Sequence, residues 1–123
     1  MLTWCRENQV SVLAYSPLSH GLLTGKLHPE RDYKPGDLRK ANPRFSPENV
    51  AKINGLLKQL EPIAQRHGST IGQLVISWTA AQPGITCVLC GARDPHQAIE
   101  NAAAGSMKLS EEEIKTIGEL IRA

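Results

Sequence analysis

The sequence has few cysteines, few aromatic residues and no long apolar run. No stretch of its 123 residues approaches the roughly 20 consecutive apolar residues of a membrane-spanning helix. Arg6 and Glu7 interrupt the N-terminal segment, where a secretory signal peptide would stay apolar. Three cysteines are too few, and odd in number, for the disulfide framework of a small secreted domain. These absences predict a cytoplasmic protein without a membrane segment.

Runs of one charge sign are missing as well. The 14 basic and 12 acidic residues give a net charge of +2 and are scattered along the chain. Binding to nucleic acid requires clustered lysines and arginines that neutralise phosphates, so we expect no nucleic-acid partner. Hydrophobic residues at 41% and charged residues at 21% are typical of a folded globular protein. At this length the expectation is one domain over residues 1–123.

Cys87 and Cys90 have the Cys-x-x-Cys spacing of redox and zinc sites, but their setting differs. They lie in an apolar run, and not at a helix N-terminus, where the thiol pKa is lowered. Residues three apart on a strand point to opposite faces. No second cysteine pair or suitably spaced histidine pair accompanies them. We interpret the pair as structural and predict no metal site.

Two short apolar runs predict strands, at residues 10–15 and 85–90. Both are expected to be buried, and the unbroken apolarity of the second suits a parallel strand covered on both faces. Capping signals predict four helices, beginning near Ser46, Thr70, Asp94 and Ser110. Glycines and prolines break every periodic pattern between residues 19 and 47, which predicts a long irregular connection of the kind that often carries function.

The order of strand, helices, strand and helices predicts an α/β fold with a parallel sheet, either doubly wound or a barrel. Two strands cannot close a barrel, and a complete (β/α)8 barrel needs about 250 residues. Two isolated strands also leave unpaired edges that promote association. We therefore expect a piece of a larger fold or one part of an assembly, with self-association or poor solubility when alone.

Two segments that follow the strands are candidates for chemistry. Residues 14–26 read Ala-Tyr-Ser-Pro-Leu-Ser-His-Gly-Leu-Leu-Thr-Gly-Lys, a small-residue loop that ends in a cation and suits an anionic phosphate group. It is not a nucleoside triphosphate loop, because only three residues separate Gly21 from Gly25 and Leu27 follows the lysine. Residues 91–101 read Gly-Ala-Arg-Asp-Pro-His-Gln-Ala-Ile-Glu-Asn and place three polar side chains on one helical face. Taken singly, each of these polar residues is more often a solvated surface residue.

Together these motifs resemble the aldo-keto reductase family over essentially the whole chain. The resemblance implies the C-terminal fragment of a (β/α)8 TIM barrel, comprising its last two βα units and the C-terminal helix. It also implies NADP(H) as cofactor. Tyr15 would stack on the nicotinamide, while Ser16, Pro17, Leu18 and Lys26 would hold the ribose and pyrophosphate. Gly91, Arg93 and Gln97 would surround the adenosine 2'-phosphate, with Glu100 and Asn101 against the adenine.

The resemblance assigns no catalytic residue to this chain. The family's Asp, Tyr, Lys and His tetrad comes from earlier barrel strands, and Tyr33 in the irregular connection cannot replace the proton-donating tyrosine. The leading hypothesis is a truncated or split NADP(H)-dependent carbonyl reductase that binds its carbonyl substrate only in a complete barrel. The alternatives are a non-catalytic nucleotide-binding module, which forms a homo-oligomer through its strand edges, and an inactive remnant.

Overall fold

The computed structural model describes residues 1–122 and contains two strands, five α-helices and three short 3-10 helices within that range. The order along the chain is α1 (Leu2–Glu7), β1 (Leu13–Tyr15), η1 (Ser19–Thr24), η2 (Pro43–Phe45), α2 (Pro47–Arg66), α3 (Ile71–Ala80), β2 (Cys87–Leu89), α4 (Pro95–Ala103), η3 (Ala104–Ser106) and α5 (Glu111–Arg122). The predicted order of strands and helices is confirmed.

The two strands pair in parallel, as predicted. Leu13 lies opposite Cys87, and Tyr15 lies opposite Leu89. Both strands are shorter than the apolar runs that predicted them. The pairing begins with two hydrogen bonds, one from the Thr86 amide to the Val12 carbonyl (2.8 Å) and one from the Val12 amide to Thr86 Oγ1 (2.9 Å). The carboxyl ends of both strands therefore lie side by side.

The prediction that both strands are buried was wrong. Leu13, Tyr15 and Leu89 are 54%, 80% and 44% exposed, and only the alternate positions Ala14 and Val88 are half-buried. Side chains alternate between the faces of a strand, and within residues 1–122 helices cover only one face of this sheet. Continuous apolarity cannot distinguish a strand covered on both faces from one that has an open apolar face.

The helices begin at the predicted caps. Ser46 Oγ accepts a hydrogen bond from the Asn49 amide (3.3 Å), followed by a proline at the first helical position of α2. Thr70 opens α3 with a complete capping box. Asp94 caps α4 through the Gln97 amide (2.8 Å), and Ser110 caps α5 through the Glu113 amide (3.2 Å). These starts were predictable because capping is a local interaction.

Two apolar clusters hold the helices and the long connection in place. The first lies between α2, α3 and α5 and comprises Leu57, Leu60, Ile63, Ala64, Leu74 and Ile117. The second fixes the connection between η1 and α2 and comprises Leu22, Leu27, Tyr33, Phe45 and Val50. Asn54 on α2 donates to the Leu27 carbonyl (2.7 Å). The irregular connection is thus packed against α2 by its own apolar side chains.

Across residues 1–122, no helix is both long enough and apolar enough to span a membrane.

Candidate functional site

A cleft of about 640 Å³ lies beyond the carboxyl ends of the two strands. Its volume is in the range of small-molecule and cofactor sites, and parallel α/β folds place ligands at this end of the sheet. The loop after β1, the long connection, the start of α3, and the segment from the end of β2 into α4 form its walls. All ten residues that the sequence singled out for a cofactor line it: Tyr15, Ser16, Pro17, Leu18, Lys26, Gly91, Arg93, Gln97, Glu100 and Asn101.

The loop after β1 has an unusual backbone. Ser16, Ser19 and His20 have positive φ angles of 55°, 46° and 53°, in the left-handed region that non-glycine residues rarely occupy. The Ser19 amide donates to the Ser16 carbonyl (2.9 Å), which holds this tight turn. Gly21 and Gly25, with φ of 92° and 71°, supply the remaining left-handed positions. Strain of this kind clusters at ligand sites, where the backbone must take one particular path.

An ion pair joins the two motifs across the cleft. Lys26 Nζ lies 3.6 Å from Glu100 Oε1, and the lysine side chain is largely exposed. The backbone carbonyl of Glu100 accepts a hydrogen bond from Gln73 Nε2 (2.9 Å), which fixes α4 against the first turn of α3. Because the pair is solvent-accessible and joined by one contact, it restrains the cleft only weakly.

Side-chain hydrogen bonds shape the loop between β2 and α4. Gln97 Oε1 accepts from the Arg93 amide (3.1 Å), and Asn101 Nδ2 donates to the Gly91 carbonyl (3.1 Å). With those atoms engaged, Gln97 offers a ligand its amide nitrogen, a donor, and Asn101 offers its oxygen, an acceptor. The Arg93 side chain is exposed at the start of α4, where the helix dipole favours anions.

The long connection contributes charged residues that the sequence did not single out. Arg31, Asp37 and Arg39 all line the cleft. Arg39 Nε and Nη2 donate to the two carboxylate oxygens of Asp37, at 2.9 and 2.6 Å. The hydrogen bonds from Arg39 lower the pKa of Asp37 to about 2. The only signal in the sequence was the close spacing of these charges in an irregular segment, which by itself specifies no direction for a side chain.

The three cysteines, all within residues 1–122, form no disulfide bond. Cys87 lies on the exposed face of β2, whereas Cys90 lines the cleft, and burial raises the pKa of its thiol. A raised pKa reduces the thiolate fraction and hence the reactivity. Residues 1–122 contain no cluster of three or more histidine, cysteine, aspartate or glutamate side chains that could hold a metal ion.

Comparison with known proteins identifies a family. The sequence model described as "Aldo/keto reductase family" matches residues 1–122. The chain is 37% identical over 123 residues to the NADH-specific methylglyoxal reductase of Escherichia coli K12, spanning all of this chain and 37% of that protein. It is 36% identical over 115 residues to the aldo-keto reductase yakc [NADP(+)] of Schizosaccharomyces pombe, spanning 94% of this chain and 34% of that protein.

Solved structures give the same result for the fold. The chain superposes on the glycerol dehydrogenase AKR11B4 from Gluconobacter oxydans with a TM-score of 0.87 and 28% sequence identity. The match covers 98% of this chain and 37% of that structure. The chain thus spans about a third of the length of the curated relatives it matches, and its two βα units correspond to part of a barrel.

Proposed function

Since the chain belongs to the aldo/keto reductase family, we propose that it supplies the NADP(H)-binding part of an oxidoreductase that interconverts carbonyl and alcohol groups. The observation that carries this proposal is the convergence of two motifs, separated by more than sixty residues, on one cleft. The volume of the cleft lies in the range of cofactor sites, and its walls combine an aromatic ring, hydrogen-bond donors and four cationic side chains: Lys26, Arg31, Arg39 and Arg93.

The nicotinamide is proposed to lie against Tyr15. This side chain is exposed at the carboxyl end of β1 and lines the cleft, so its ring is accessible to a flat aromatic ligand. Ser16, Pro17 and Leu18 follow directly and would contact the adjoining ribose. When bound, the nicotinamide ring supplies the hydride, and the part of this chain is to orient the ring.

The phosphates and the adenine are proposed to lie between Lys26 and α4. Lys26 would turn from Glu100 to the pyrophosphate, because a dianion attracts its ammonium group more strongly than one carboxylate does. Gly91, Arg93 and Gln97 surround the N-terminus of α4, and their donors suit the 2'-phosphate. Glu100 and Asn101, about one turn beyond Gln97, would contact the adenine.

Selection of NADP(H) over NAD(H) is part of the proposal. The names of the relatives differ on this point, since one is NADH-specific and another carries the designation NADP(+). Arg93 supports NADP(H) here, because an exposed guanidinium at the N-terminus of α4 is placed to bind a phosphate that NAD(H) lacks.

We assign no catalytic residue to this chain. In the proposal the Asp, Tyr, Lys and His tetrad belongs to other strands of the complete barrel, and the carbonyl substrate binds only there. Residues 1–123 are then one part of the oxidoreductase domain. We expect this part alone to bind the cofactor without catalysing hydride transfer. A cytoplasmic location is also proposed, supported by three cysteines that remain free.

Calorimetric titration of the 123-residue chain with NADPH and with NADH tests this function. We expect NADPH to bind more tightly, and Arg93→Ala to weaken NADPH binding roughly ten- to a hundred-fold, the value of one charge-assisted hydrogen-bonded contact. The effect of Arg93→Ala on NADH should be small, because that cofactor lacks the 2'-phosphate.

Arg44→Ala is the matched control, since Arg44 is an exposed arginine that does not line the cleft. It should bind NADPH as the unsubstituted chain does. Absence of NADPH binding by a chain that unfolds cooperatively would refute the proposed function, and equal affinity for both cofactors would refute the choice of NADP(H).

A second candidate function is a self-assembling module. The exposed apolar face of Leu13, Tyr15 and Leu89, together with the unpaired outer edges of both strands within residues 1–122, favours it. This function competes with cofactor binding, because Tyr15 and Leu89 of the exposed face also line the cleft.

A further inference from the structure

Tyr33 is the one buried tyrosine in the described part of the chain, and the proposed function assigns it no role. It is only 7% exposed and packs edge-on against Phe45, with 6.2 Å between the ring centroids. Its hydroxyl group has no hydrogen-bond partner within residues 1–122. Within residues 1–122 the side-chain contacts of Tyr33 are thus made by its ring.

Two guanidinium groups lie over this ring. The central carbon of Arg39 is 4.9 Å from the ring centroid and that of Arg31 is 5.7 Å away, both within the distance of a cation–π interaction. Both arginines line the cleft, whereas Tyr33 does not. The ring thus supports, from the core, two cations that face the ligand site.

The two arginines differ in how they are held. Arg39 forms a bidentate ion pair with Asp37, which leaves its Nη1 group free of that contact. Arg31 forms no salt bridge and no side-chain hydrogen bond within residues 1–122, so its guanidinium is held by the ring and by the longer-range attraction of the Asp37 carboxylate. Two cations and one carboxylate leave a net positive charge at this wall of the cleft.

Like charges on one segment repel each other, and an exposed loop would let them separate. The π-electron system of one shared ring attracts both guanidinium groups and opposes that separation. The connection that carries them is itself fixed by the apolar cluster of Leu22, Leu27, Tyr33, Phe45 and Val50. Tyr33 therefore joins the packing of this segment to the placement of its charges.

We propose that Tyr33 is a positioning residue whose ring holds Arg31 and Arg39 as an anion-binding pair on the wall of the cleft. The anion they bind is a phosphate group, and its assignment to a dinucleotide rests on the proposed function. The pair itself recognises phosphate independently of the rest of the ligand.

Two substitutions distinguish an effect of the aromatic ring on ligand binding from an effect of filling the core with an apolar side chain. Tyr33→Phe retains the ring and removes a hydroxyl that has no partner, so its affinities for NADPH and for inorganic pyrophosphate should stay within about two-fold of the unsubstituted chain. Tyr33→Leu keeps an apolar side chain but has no π face. It should weaken binding of both probes roughly five- to thirty-fold.

A double-mutant cycle tests whether Tyr33 acts through the arginines. In a chain that carries Arg31→Gln and Arg39→Gln, Tyr33→Leu should cause no further loss of affinity, because the groups it positions are gone. Equal losses in both backgrounds would mean that leucine merely loosens the core, and would overturn the proposal. Thermal unfolding of each variant verifies its fold, and Tyr33→Met replaces Tyr33→Leu if the latter does not fold.

The two probes keep this inference distinct from the proposed function. Pyrophosphate binding that depends on Tyr33, without NADPH binding, would support the anion-binding pair and refute the dinucleotide. If the unsubstituted and Tyr33→Leu chains bind NADPH equally well, the positioning role of Tyr33 is refuted and the proposed cofactor binding is not. A folded chain that binds neither probe would refute both.

Discussion

Glu113 connects two helices through more contacts than any other carboxylate in the described residues. Its carboxylate accepts hydrogen bonds from the Ser110 amide (3.0 Å) and Arg66 (3.2 Å) and lies 3.1 Å from His67 Nε2. The Ser110 amide is the main cause that lowers the pKa of Glu113 to about 2, and His67 and Arg66 add to it. The group therefore caps α5 and ties it to the end of α2.

The stability of the chain should depend on the ionisation of Glu113. Its folded pKa of about 2 lies below the ordinary value of 4.5, so its contribution is complete above pH 4.5 and is lost as the pH falls towards 2. We expect Glu113→Gln to lower the free energy of unfolding at pH 7 by about 1 kcal/mol, because glutamine can still accept from the Ser110 amide while the charge-dependent interactions with Arg66, His67 and the N-terminus of α5 are lost. Urea denaturation at pH 7 and pH 3 measures this.

The substituted chain should also lose less stability between pH 5 and pH 3 than the original. Glu112→Gln, one position earlier on the same helix and exposed, is the control and should change neither quantity appreciably. If Glu113→Gln leaves the pH dependence of unfolding unchanged, the interactions of this carboxylate do not determine acid stability.

At the scale of elements, local chemistry decides where helices start, and the same caps position the site. Thr70 accepts from the Gln73 amide (3.2 Å), and Gln73 Oε1 accepts from the Thr70 amide (2.9 Å). Gln73 Nε2 reaches on to the Glu100 carbonyl of α4. Thr70 and Gln73 both line the cleft, so the first turn of α3 is at once a capping box and part of the cleft wall.

Removing the cap of α3 should destabilise the chain measurably. We expect Thr70→Ala to lower the free energy of unfolding by about 1 kcal/mol, because the first amide groups of α3 lose an acceptor. Thr116→Ala is the control, since Thr116 is exposed in α5 and alanine is the better helix former. Urea denaturation measures the free energy of unfolding of both variants and of the unsubstituted chain. If Thr70→Ala is as stable as the unsubstituted chain, the capping box contributes nothing.

At the scale of the whole molecule, the feature that favours self-association is a sheet with one open apolar face. Leu13, Tyr15 and Leu89 are exposed on it, while the helices cover the other side. A strand pair with free edges and an apolar face associates readily with another sheet. In the superposition on the glycerol dehydrogenase, this chain accounts for 37% of the larger structure.

We expect the purified chain to self-associate through this face. Sedimentation velocity over a range of concentrations should reveal dimers or larger species, and Leu13→Lys should weaken their association by roughly ten-fold or more, because a buried lysine is costly. Ile99→Lys is the matched control, since Ile99 is an exposed apolar residue on α4, away from the sheet. A chain that remains monomeric at all concentrations excludes this assembly.

The sequence by itself determined the starts of the helices and the parallel order of the elements, and its resemblance to a family pointed to ten residues that line the cleft. Caps such as Ser46 and Thr70 act within one turn, and the two motifs follow strand ends that a parallel sheet places side by side. Only the tertiary structure decided that one face of the strands is open and that Arg31 and Arg39 turn towards the cleft over Tyr33. Those outcomes depend on which elements cover the sheet and how an irregular segment packs, and neither has a periodic signal in the sequence.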